Sequence, residues 1–175
     1  MTCSCERPTR PRIFLLKVPR GKAGTLVTAR IIARMIRDGA KDFIVRQRAI
    51  QVFRTYRVPA KDRFGEICSL FDWVRRNIRY TRDIFRVELL HTPRRMIELK
   101  AGDCDDMTIL LGSMLLSTGH PIRLVLVGFR PNRPHLYSHI YLEVLVRDRW
   151  LALDATMERP IGWAPPALWR RNWAV

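Results

Sequence analysis

A chain of 175 residues, 47% of them hydrophobic, suits one compact domain with extra segments, and no apolar run approaches the length of a membrane-spanning helix. The 32 Lys and Arg against 16 Asp and Glu give a net charge of +16, a field that favours polyanions: nucleic acid, acidic protein surfaces or anionic envelope polymers. Arginine greatly outnumbers lysine, a bias that GC-rich coding also produces. No helix-turn-helix, zinc finger or ribonucleoprotein motif accompanies it, so specific nucleic-acid recognition is not expected.

Residues 1–22 are rich in Arg and Pro and read as a basic arm, which offers non-specific contact with nucleic acid. The run Ile13-Phe14-Leu15-Leu16 is too short for a signal-peptide core, which points to an intracellular product at synthesis. The cysteines are Cys3, Cys5, Cys68 and Cys104. They lack zinc spacing and the histidines are scattered singly, so no metal or other cofactor is expected. Cys3 and Cys5 go with the arm, and Cys68 reads as a core thiol on an apolar helical face.

Residues 23–58 form a helical extension. A first helix over about 24–38 shows Leu26, Ile31, Ile32, Met35 and Ile36 on one face, with Gly39 as its stop. A second, over about 41–55, would turn Phe43, Ile44, Ile50 and Phe53 inward, and Pro59 closes the unit. A third, over about 61–78, opens the core region 59–157, with Phe64, Ile67, Cys68, Phe71, Val74 and Ile78 at helical spacing. Residues 79–91 are irregular, with room for a short strand. Thr92-Pro93 reads as an N-cap and a first-position proline ahead of a short helix over 94–99.

The clearest helix runs from about Cys104 to Ser117, with Met107, Leu110, Leu111, Met114 and Leu115 on one face and Gly119 at its end. Residues 122–129 are apolar throughout and predict a central strand. Two further strands, about 138–146 and 150–156, flank the tight turn Arg147-Asp148-Arg149. The Trp- and Pro-rich tail, 158–175, is expected to wrap the surface or dock on a partner.

Cys104 opens a helix, where unpaired N–H groups and the dipole favour thiolate, although Asp103, Asp105 and Asp106 act the other way. Its own N–H has no helical partner and can help hold an oxyanion. In the late strands the apolar residues alternate. A loop of two residues, Arg147-Asp148, pairs Val146 with Arg149 and Tyr141 with Asp154, and it puts His139 and Asp154 on one face as diagonal neighbours. That diagonal is roughly 7–8 Å between backbones, which an imidazole and a carboxylate can bridge. A loop one residue longer would separate them. A thiol, an imidazole and a carboxylate are the parts of an activated nucleophile with an oriented base.

The run Phe71-Asp72-Trp73-Val74-Arg75-Arg76-Asn77-Ile78-Arg79-Tyr80, then Thr92-Pro93, Gly102-Asp103-Cys104-Asp105-Asp106, Ser138-His139-Ile140-Tyr141 and the strand Trp150–Asp154 resemble the transglutaminase-like superfamily. The likeness covers roughly residues 60–157 and is nearest to short single-domain members from bacteria and tailed bacteriophages. It implies an α+β, papain-like fold, with the Cys104 helix packed on an antiparallel sheet. It also implies roles: Cys104 as nucleophile, His139 as general base and acid, and Asp154 orienting the imidazole. Tyr80 is a candidate second oxyanion donor or, equally, a packing aromatic. The calcium-binding and accessory domains of large animal transglutaminases are absent.

The expected function is a thiol hydrolase or acyltransferase acting on a peptide or isopeptide amide, encoded by a phage and made in the host cytoplasm, with a virion or cell-envelope protein as substrate. The alternative is a virion structural or assembly protein of the head, neck or tail, which uses the fold as a module to bind phage structural proteins. The charge, the arm and the tail would then be docking devices.

Overall fold

The computed structural model describes residues 13–19, 21–82, 89–134 and 136–175. Cys3, Cys5 and most of the basic arm lie outside the described residues, as does 83–88 of the irregular stretch. The described helices are α1 (Lys22–Ala40), α2 (Phe43–Thr55), α3 (Arg63–Asn77), α4 (Pro93–Leu99) and α5 (Cys104–Ser117). After α1, each begins on a short polar side chain that accepts a first-turn N–H with no helical partner. Asp42 takes Ile44 N–H at 2.8 Å, Asp62 takes Gly65 N–H at 2.9 Å and Thr92 takes Arg95 N–H at 3.3 Å. Asp103 takes two, from Asp105 and Asp106.

Two helices depart from the sequence pattern. Helix α1 runs through Gly39 instead of stopping there. A Cβ at Gly39 would lie 2.5 Å from Pro93 Cγ and 2.6 Å from Ser113 Oγ, so this glycine serves close approach to α4 and α5. On α2 the buried residues are Val45, Ala49 and Val52, whereas Phe43 and Ile44 are exposed. Phe53 packs against the core as expected, but the first turn of the expected face is turned outward and small side chains take its place against α5 and α3.

Helix α5 is the centre of the molecule. Met107, Ile109, Leu110, Leu111, Met114 and Leu115 are all buried, and α1 to α4 pack around it. A helix this apolar on all sides belongs in an interior.

The four-stranded sheet is antiparallel, with β3 (Ile122–Gly128), β4 (His139–Val146), β5 (Arg149–Leu153) and β6 (Trp169–Ala174) in the order β5-β4-β3-β6. A separate parallel bridge joins β1 (Arg79–Tyr80) to β2 (Ala101–Gly102), with Tyr80 opposite Gly102. The β4–β5 hairpin turns on Arg147 and Asp148, both at positive φ (46° and 64°), and Val146 pairs with Arg149. Two successive positive-φ residues match the right-handed twist of the strands they join. Leu124, Leu126, Ile140, Leu142, Val144 and Leu153 join the helical core, while Val125, Val127, Tyr141 and Ala152 pack with Ala164 and Ala167.

The tail does more than wrap the surface. Residues 169–174 return as β6 along β3, which makes β3 an interior strand. Buried Glu143 on β4 receives Arg123 of β3 at 2.6 Å and Arg170 of β6, and Arg123 also lies 4.2 Å over the Trp150 ring of β5. One side chain from each strand therefore ties the sheet together. No helix among the described residues is long and apolar enough to cross a membrane.

Candidate active site

Cys104 is the first residue of α5, and Thr108 one turn later donates Oγ1–H to the Ile140 carbonyl at 3.4 Å, fixing the helix to the start of β4. The thiol meets the Ile140 N–H, which belongs to the peptide unit that follows His139. The nucleophile candidate and the imidazole candidate are thus brought to the same end of β4. The hydrogen bonds among the described residues do not include a direct one between Cys104 and His139.

His139 Nε2 lies 2.7 Å from Asp154 Oδ2. The β4–β5 register explains this. Leu142 opposes Leu153, and continuing the ladder by one step brings Tyr141 and Asp154 level, with His139 on the diagonal. Asp154 is 3% exposed, and its other oxygen is occupied: Oδ1 accepts Thr156 N–H at 3.1 Å and Thr156 Oγ1–H at 2.6 Å. Thr156 holds the carboxylate plane, which in turn holds the imidazole. The Tyr141 ring stacks against His139 with centroids 6.2 Å apart.

The thiol itself differs from the helix-start expectation. Burial pushes Cys104 well above the ordinary thiol range. The charges of Asp105 and Asp103 add to this, as does the Sγ–H bond to Asp105 Oδ1 at 3.5 Å; the Ile140 N–H lowers it and does not prevail. The reason lies in the cap. The first-turn N–H groups that would stabilise a thiolate are given to the Asp103 carboxylate, which also sets a negative charge beside the sulfur. Cys68 is half-buried, and burial followed by Asp72 and Asp62 raises it as well. Iodoacetamide should therefore alkylate Cys104 at least about tenfold more slowly than an unhindered cysteine near neutral pH, with a rate that climbs through the alkaline range. Peptide mass spectrometry of a pH series checks this; a plateau reached near neutral pH would mean a preformed thiolate–imidazolium pair instead.

Tyr80 stands on β1, opposite the glycine two residues before Cys104. Its hydroxyl is raised by burial first and then by the nearby charges of Cys104 and Asp103, while a hydrogen bond with Arg82 and the Arg82 charge act the other way. A cleft of about 390 Å³ opens beside it, lined by the end of α3, β1, Met107 of α5 and residues 155–158.

Sequence reasoning missed two supports. Thr156 follows Asp154 by two residues, a spacing at which a hydroxyl or N–H often satisfies a carboxylate. The second is His91, whose N–H and Nδ1 grip fully buried Asp106 at 2.7 and 2.8 Å. No local pattern links positions fifteen apart with α4 and β2 between them. A Cβ on Gly102 would lie 2.7 Å from the Asp106 carboxylate, so the Gly-Asp-Cys run leaves room for this clamp under α5. Asp103, Cys104 and Asp105 bring an oxygen, a sulfur and an oxygen within 4.8 Å of one another. Capping by Asp103 and the thiol bond to Asp105 account for that proximity.

Residues 50–155 match the model of the transglutaminase-like superfamily. The chain belongs to this superfamily. Its fold is similar to that of a candidate protease from Parabacteroides distasonis, at a TM-score of 0.58 and 10% identity over 76% of this chain and 27% of that one. It is similar to EGTA-treated LapG from Legionella pneumophila, at a TM-score of 0.54 and 15% identity over 83% of this chain and 84% of that one. It is also similar to a chain of a Rad4/XPC nucleotide excision repair complex, at a TM-score of 0.54 and 13% identity over 82% and 42% of the two chains. The chain thus spans less than half the length of the Parabacteroides and Rad4/XPC proteins. No curated protein matches it. At these identities the likeness to each neighbour is one of fold alone.

Proposed function

We propose that this protein is a thiol hydrolase or acyltransferase that attacks a peptide or isopeptide amide through Cys104, with His139 as base and acid and Asp154 as the orienting group. The observation that carries the reading is the double commitment of Asp154, Oδ2 to His139 Nε2 and Oδ1 to Thr156. A carboxylate on Nε2 makes that nitrogen the N–H donor and leaves Nδ1 to accept a proton. With the resting thiol protonated, attack and proton transfer are coupled. As Sγ closes on the carbonyl carbon its proton passes to Nδ1, and the imidazolium then protonates the leaving amine. Water repeats the sequence in reverse and frees the acid; a primary amine in its place gives a crosslink.

The tetrahedral intermediate needs donors for its oxyanion. The Cys104 N–H is one, since a first-turn amide has no helical acceptor. Tyr80 serves as the second in this reading. Its raised pKa keeps the phenol protonated and able to donate.

An activated acyl donor, a p-nitrophenyl ester of a blocked amino acid, tests the reading without knowledge of the natural substrate. The expected result is a burst of one p-nitrophenolate per chain with matching acyl mass on Cys104, lost in His139→Ala. Adding a primary amine then separates hydrolysis from transfer. No burst above that of Cys104→Ala would overturn the proposal.

The second reading is a binding module, set in a phage particle. The net charge of +16 and the protonated resting thiol favour it. A neighbour concerned with DNA duplex opening shares the fold. Stoichiometric, symmetric copies in purified particles would support this reading, and trace or absent copies would count against it.

A further inference from the structure

We infer that the cleft beside Cys104 is an anion subsite that takes an acidic peptide segment, so that the acyl donor carries a Glu or Asp side chain within about three residues of the reacting amide. The inference rests on the acyl-transfer reading and names the substrate class of that site.

The cleft is lined by close chain neighbours of Cys104 and Asp154, not by those residues themselves. Met107, on its lining, follows Cys104 by one turn of α5, a displacement of about 5 Å along the helix. Thr156, also on the lining, holds Asp154. An extended peptide advances about 3.3 Å per residue, which sets the reach from thiol to cleft at a few residues.

Its charge is one-sided. Arg75, Arg76 and Arg79 line it against the single carboxylate of Glu158. Asp72 reaches Arg75 and Arg76 only at 3.6 and 3.8 Å. The Arg75 guanidinium is also anchored by donation to the Arg159 carbonyl at 2.8 Å. Arg79 has no ion-pair partner among the described residues, while its backbone N–H is tied to the Lys100 carbonyl at 2.9 Å. Three arginines on one lining suit capture of a carboxylate, which guanidinium binds through paired N–H donors. A cleft of about 390 Å³ with Tyr80 as its one aromatic suits a few peptide side chains better than a nucleic-acid strand, which needs a longer groove and several stacking faces.

The test uses the full chain and blocked hexapeptides carrying one Glu, moved through every position, with the matching Gln set. Each is scored by how well it protects Cys104 from iodoacetamide. At least one Glu peptide should protect at about fivefold lower concentration than its Gln partner, the scale of one partly exposed ion pair. Arg79→Glu should remove the preference, as should Arg79→Gln, which adds no repulsion. Arg30→Glu, on the exposed side of α1, should keep it. Equal protection across all pairs, or a preference that survives Arg79→Glu, overturns the inference. So does a short single-stranded oligonucleotide that protects through Arg79 where no Glu peptide does, since the cleft would then take phosphates. If Glu peptides protect through Arg79 but no ester ever acylates Cys104, the subsite stands and the acyl-transfer reading falls.

Discussion

Asp154→Asn is expected to lower acylation of Cys104 by about 10⁴-fold while the protein stays folded. The size of the effect follows from which end of the new amide faces which partner. Asp154 Oδ1 accepts the Thr156 backbone N–H, a donor that cannot be turned away. In the asparagine variant the amide oxygen must remain there, so the NH₂ group faces His139. An NH₂ aimed at Nε2 requires that nitrogen to be unprotonated, and the proton moves to Nδ1, the position that must receive the thiol proton. The residue then keeps its shape and selects the wrong tautomer. Single-turnover ester kinetics, with a urea midpoint to verify folding, check this. A variant within about tenfold of the parent would mean that Asp154 does not set the tautomer.

The pairing of His139 with Asp154 depends on a register readable in the chain. Ile140, Leu142, Val144 and Val146 alternate with His139, Tyr141 and Glu143, and a run of alternating side chains permits one parity for the hairpin. Arg147 and Asp148 provide the loop length, although neither is the glycine or asparagine that usually accepts positive φ. The capped start of α4 was equally plain, because Thr92 acts on an N–H within three residues.

What stayed hidden depended on distant partners. The burial of β6 alternates, but its sequence Trp-Arg-Arg-Asn-Trp-Ala does not alternate in polarity, and the strand is tied in by Arg170 on Glu143. The small-residue face of α2 was obscured because Phe43 and Ile44 are more hydrophobic than the Val45, Ala49 and Val52 that pack. The state of the Cys104 thiol was a contest between a helix start and three aspartates. Only coordinates reveal that the cap consumes the helical donors and that burial adds to the acidic side. The His91 grip on Asp106 and the arginine-lined cleft join segments with no sequence pattern in common.

Cys104→Ala separates an enzyme from a binding module more completely than any other change. On the proposed mechanism, loss of the sulfur removes the atom that would form the thioester, and no covalent turnover is expected to remain. The fold should tolerate the change at a cost of about 1 kcal/mol or less, since α5 is held by Met107, Leu110, Leu111, Met114 and Leu115 rather than by the thiol. Stability against pH gives a second readout. Burial and the Asp105 and Asp103 charges raise the folded thiol above its unfolded value, so the unfolded chain loses this proton first as pH rises. The stability linked to the proton is fully present below the unfolded thiol's pKa, about 8.5, and declines above it. Urea midpoints should therefore fall more steeply from neutral to alkaline pH in the parent than in Cys104→Ala. Parallel curves would mean that the sulfur is better solvated than its burial implies. If the variant folds, takes its normal place in particles or cells and leaves every substrate band and assembly step unchanged, the acyl chemistry is not its role there, and the positively charged transglutaminase-like fold acts by binding.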